Sequence, residues 1–177
     1  MPLSDALVER VKVHEGLRLK PYRCTAGKLT IGYGRNLDDR GISEEEARRF
    51  LDWDLREANA TVMAWLYEEV QRRGEGEVMA LLEGEVMALL EGLGRVQLLE
   101  RDFRAEWNVL VELAFWLGRG TLGQFKRLRE AVLDWRFADA ADELLWADEA
   151  RTIPSKVHQQ APARTERLAA ILREGRE

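Results

Sequence analysis

Residues 14–36, HEGLRLKPYRCTAGKLTIGYGRN, break the helical rhythm that runs through the rest of the chain. Pro21, Gly27, Gly32 and Gly34 punctuate this segment, and proline and glycine so spaced end helices and mark turns. RLKPYRC and KLTIGYG read as two short strands, joined by a turn at Thr25, Ala26, Gly27 and Lys28. A chain that must accommodate one polar hairpin within a helical body has few solutions. The expected class is α+β, mainly α, with one small hairpin.

Ahead of the hairpin, Ser4 can cap a helix whose apolar residues Leu3, Ala6, Leu7 and Val11 recur at helical spacing. That helix is expected to reach about residue 14 and stop at Gly16, leaving Glu15 at a helix end. After the hairpin, Ser43 and Glu46 form a capping box. Leu51, Leu55, Val62, Leu66 and Val70 then trace an apolar stripe. Residues 76–91 are the octad GEVMALLE twice over. Eight residues exceed two helical turns, so the stripe rotates by about 80° per copy. Solenoids need longer units and more copies, so the octads read as a helical insertion over about 72–97, lengthened by local duplication. AEWNVLVELAFWLG is expected as the central core helix, closed by Gly118 and Gly120. FKRLREAVLDWRF and ADAADELLWADEA read as two further helices, and Pro162 opens a last one.

Composition excludes several classes. No run of 18 apolar residues exists, so no transmembrane span is expected. The first residues carry charge throughout and lack the apolar stretch of a signal peptide. One cysteine cannot close an internal disulfide, and His14 and His158 are the only histidines, so a thiol metal site is not expected. Seven Lys/Arg face three Asp/Glu over 1–36, nine face nineteen over 37–117, and eleven face ten over 118–177. An acidic chain is poorly suited to neutralising a phosphate backbone, whereas the basic start can attract another anionic polymer.

Three residues of the hairpin segment could carry chemistry. Glu15 is either one surface glutamate among many or a general acid, which must hold its proton until it meets the leaving group. Cys24, beside the turn and next to Arg23, is either a small apolar filler or a reactive thiol. Thr30 is either a β-branched strand residue or a hydroxyl that holds a water.

Taken together, Glu15, eight residues, Cys24, five residues and Thr30 resemble the Glu-x8-Asp/Cys-x5-Thr signature of phage-type lysozymes, glycoside hydrolase family 24. ISEEEARRFLDWDL, LAFWLGRGTLGQF and SKVHQQAPARTERLA resemble later blocks of that family in the same order. The resemblance implies a single two-lobed lysozyme domain over 1–177, with a small lobe at about 14–58 and a helical lobe at about 59–177 that also takes the N-terminal helix. It implies a cofactor-free muramidase acting on the β-1,4 bond between N-acetylmuramic acid and N-acetylglucosamine. Glu15 would be the acid and Thr30 would place the attacking water, while Cys24 holds the position more often filled by aspartate. Phe115 and Arg164 match positions near the family's cleft, with Arg164 a candidate partner of Glu15. Arg35 stands where many members have histidine. The expected partner is bacterial peptidoglycan, without nucleic acid or stable membrane insertion, and the expected state is a monomer in the host cytoplasm before release to the wall. A lytic transglycosylase and a non-catalytic glycan-binding protein on the same scaffold are the alternatives.

Overall fold

The computed structural model describes residues 3–74 and 103–176; the tandem octad at 76–91 lies outside the described residues. Most described residues are helical, with one small antiparallel sheet, as the period change predicted. The chain divides into two compact units, 1–51 and 52–177.

In the first unit, α1 (Asp5–Glu15) starts where the Ser4 hydroxyl accepts from the Leu7 amide. It ends at Gly16, whose φ of 67° turns the chain away while its N–H still reaches Lys12 O. The sheet follows, in the order β1 (Arg18–Arg23), β2 (Leu29–Gly32), β3 (Arg35–Asn36). Tyr22 pairs with Thr30, and the register slips between Arg18 and Tyr22, where Pro21 has no N–H to give the ladder. β3 extends the expected hairpin to three strands. Two residues are too few to show alternation in the sequence.

A four-residue helix, α2 (Leu37–Arg40), also escaped the sequence reading, although Asn36 Oδ1 caps it by accepting from the Asp39 amide. Its acids tie it to the sheet: Asp38 accepts from the Leu29 amide at 2.8 Å and Asp39 accepts from Lys28 Nζ at 2.7 Å. The capping box at the start of α3 (Glu44–Arg73) forms as read, with Ser43 and Glu46 bonded reciprocally at 2.8 and 3.2 Å. Among the described residues of this unit, only Thr30 is buried.

The second unit has a conventional apolar core. α3 contributes Ala58, Val62, Trp65, Leu66 and Val70. The apolar stripe thus becomes buried only from Ala58 onward, and Leu51 and Leu55 stay 46% and 38% exposed. α4 (Arg104–Leu122) supplies Val109, Leu110 and Leu113. It kinks at Gly118 (φ 70°, ψ 163°) and makes one more turn, so the glycine bends the element rather than ending it. α5 (Lys126–Leu133), α6 (Phe137–Leu145), α7 (Lys156–Gln160) and α8 (Pro162–Glu174) complete the described helices. α6 and α8 pack most extensively, burying Leu144, Leu168 and Leu172 completely.

A buried carboxylate sits at one side of this core. Glu69 is 1% exposed and meets the guanidinium groups of Arg72, Arg73 and Arg129. Arg72 above all, with Arg73 and Arg129, pulls its pKa down to about 2 against the opposing effect of burial. Between α6 and α7 the chain closes on itself. Trp146 bridges Pro154, and the Asp148 carboxylate accepts from the Thr152 and Ile153 amides and the Thr152 hydroxyl. No helix among the described residues is long and apolar enough to cross a membrane.

Candidate active site

Glu15 is the last residue of α1, and its side chain returns toward the sheet. The contact is with Gly34, in the turn between β2 and β3. Gly34 has φ 83°, and a Cβ placed on it would lie 3.0 Å from Glu15 Oε2 and 3.7 Å from Cδ. Only glycine meets both conditions, the left-handed backbone and the missing side chain. Glu15 is exposed and has no hydrogen-bonding or ionic partner within residues 3–51.

Cys24 lies in the turn between β1 and β2. Its amide donates to Lys28 O at 3.0 Å and its carbonyl accepts from the Gly27 amide at 2.8 Å. The thiol is half-buried and faces the Ala26 amide first, then the Lys28 amide and the Thr30 hydroxyl. These donors hold its pKa below the ordinary thiol value, since each favours the thiolate, and burial opposes them. Thr30, 4% exposed, donates its hydroxyl proton to Lys28 O at 3.0 Å. The turn thus brings Cys24 and Thr30 together around the Lys28 backbone. The Glu15 side chain, from the end of α1, rests against the next turn of the same sheet at Gly34.

Arg35 has a role that sequence reading did not find. Its Nε donates to Gly41 O at 2.8 Å, and its two terminal nitrogens fork onto Glu46 at 2.5 and 2.7 Å. Glu46 is held below the usual carboxylate range by the Ser43 amide and hydroxyl, with Arg35 adding to them. The arginine therefore pins β3 to the start of α3. Its signal was an acid eleven residues downstream, inside a capping box.

Phe115 and Arg164 belong to the second unit. Phe115, 45% exposed, lines an open groove of about 540 Å³ between α3 and α4 with Asp54, Glu57, Thr61 and Arg119. Arg164 stacks 4.5 Å from the Trp116 ring, and its Nε donates to Glu112 at 2.9 Å. Glu112 is thus the carboxylate that Arg164 engages in its own unit. Among the described residues no cluster of three or more His, Cys, Asp or Glu side chains could hold a metal ion.

Residues 12–83 match the family model described as phage lysozyme. This segment is similar to the phage lysozyme family. The chain is also 41% identical over 64 residues to an endolysin of Acyrthosiphon pisum secondary endosymbiont phage 1, covering 34% of this chain and 43% of that relative. The chain therefore spans less than half the length of the curated relative it matches. The phage-lysozyme segment contains Glu15, Cys24, Thr30 and Gly34 and ends before Phe115 and Arg164.

Proposed function

We propose that the protein is a phage peptidoglycan hydrolase, a muramidase that opens the β-1,4 bond between N-acetylmuramic acid and N-acetylglucosamine. One observation carries this reading: the Glu15 carboxylate rests against the β2–β3 turn at Gly34, while Cys24 and the Thr30 hydroxyl meet around Lys28 at the turn before β2. In the proposed reaction Glu15 gives its proton to the glycosidic oxygen. Water attacks the anomeric carbon from the opposite face, with inversion, which requires the acid and base to stand about 6.5–9.5 Å apart. Because the Thr30 proton is turned inward, to Lys28 O or to the Cys24 sulfur, its oxygen meets that water as an acceptor. The water donates one hydrogen to Thr30 and turns a lone pair toward the sugar. Cys24 Sγ is the group beside Thr30 that can take the proton the water loses, and its Ala26 and Lys28 amide neighbours lower the thiol's pKa in the direction that helps this.

The decisive variant is Glu15→Gln. Lysis of permeabilised bacteria should fall to background while the circular dichroism spectrum is unchanged; lysis near the wild-type rate would overturn the assignment. Position 24 also supports a second reading, because a thiol rather than a carboxylate stands beside the water site. A lytic transglycosylase uses the muramyl C6 hydroxyl in place of water and leaves 1,6-anhydro products. Mass spectrometry of digested peptidoglycan separates the two reactions. On either reading the substrate is bacterial peptidoglycan, and the protein acts as a monomer after leaving the host cytoplasm.

A further inference from the structure

We propose that Gly34 is a positioning residue for Glu15, its bare Cα forming the seat on which the carboxylate rests. This inference deepens the proposed function and rests on Glu15 being the acid. Two observations support it. The Glu15 side chain has no hydrogen bond or ion pair within its unit, so polar contacts of this unit do not fix its rotamer. A glutamate at a helix end without such contacts samples several rotamers, and each one other than the productive one lowers the fraction of competent enzyme. The close neighbour that the geometry does provide is Gly34, where an added methyl would stand 3.0 Å from Oε2, inside ordinary van der Waals contact.

The last residue of β2 supplies a control. Gly32 also has positive φ, 67°, but a Cβ there would meet nothing within 4 Å. Alanine at either position imposes a similar backbone penalty. Only alanine at 34 reaches the carboxylate. Turn strain and carboxylate displacement can therefore be separated by comparing two neighbouring substitutions.

The test measures kcat and KM on purified peptidoglycan for Gly34→Ala, Gly32→Ala, Glu15→Asp and the Glu15→Asp/Gly34→Ala double variant. The side-chain carboxylate 13C resonance of Glu15, identified by its loss in Glu15→Gln, is followed in parallel. Gly34→Ala is expected to lower kcat at least tenfold below Gly32→Ala, with KM within twofold and equal melting temperatures. The Glu15 resonance should shift in Gly34→Ala and not in Gly32→Ala. In the double variant the shorter acid clears the added methyl, so its loss should be smaller than the product of the two single losses. Equal kcat in the two alanine variants, or strictly multiplicative losses in the double variant, would overturn the proposal. Lytic activity in Glu15→Gln would instead refute the muramidase reading, and the displaced or unmoved 13C resonance would still decide whether Gly34 seats the carboxylate.

Discussion

Leu113, Leu144 and Leu168 are fully buried among apolar neighbours in the helical unit, whereas Thr30 alone reaches comparable depth among the described residues of the sheet unit. The helical unit is held by apolar area removed from water, which is non-directional and tolerates shifts in side-chain packing. The sheet unit is held by directed polar contacts: Lys28 to Asp39, the Leu29 amide to Asp38, Arg35 to Glu46 and Gly41. Directed contacts fix positions more sharply than they add stability, since exposed ion pairs contribute little. The difference suggests a division of labour. The unit carrying the candidate chemistry is built for placement, and the other is built for stability.

The comparison is most strongly challenged in the core. Leu113→Ala should destabilise the protein by about 2–5 kcal/mol, the cost of a buried cavity, read from urea unfolding. A loss as small as that of a surface substitution would mean that the helical core is not the main source of stability. The next effect is pH-dependent. The folded pKa of Glu69, about 2, lies below the ordinary glutamate value of 4.5, so the unfolded chain binds the proton more readily. Its stabilisation is complete above that ordinary value and is lost as pH falls toward 2. Unfolding free energies measured across the acid range should therefore decline in the wild type and decline less steeply in Glu69→Gln. The smallest effect belongs to the sheet. Asp38→Ala removes the acceptor of the Leu29 amide, and faster hydrogen exchange at that amide is expected with little change in the urea midpoint. A large midpoint shift would show that the polar contacts carry stability as well as position.

Much of this arrangement was legible in the residues. Ser4, Gly16 and the Ser43–Glu46 pair act through contacts three or four positions away, so their helix boundaries appeared where the local pattern placed them. The stripe at Leu51 and Leu55 misled because periodicity reports a face and not what covers it. β3 and α2 were too short for any periodic signal, although Asn36 with Asp39 was a readable cap. The signature spacing marked Glu15, Cys24 and Thr30. It did not reveal that Gly34, nineteen positions from Glu15, would touch its carboxylate, because such an approach depends on where a helix end meets a turn. Similarly, Arg35 looked like a departure from a family pattern, while its work lies with Glu46.

The loop from Trp146 to Pro154 has a consequence of its own. Asp148 satisfies the loop's amides from inside, the Ala147 amide bonds to Ile153 O at 2.8 Å, and the Ser155 amide closes onto Leu145 O at 2.8 Å. Both ends are clamped by backbone bonds, while Glu149 and Ala150 at the tip are exposed. Loop closure grows costlier only slowly with length. The tip is therefore a natural splice point: a foreign peptide inserted between Glu149 and Ala150 would be displayed on the surface, and the helices at its base would keep their register.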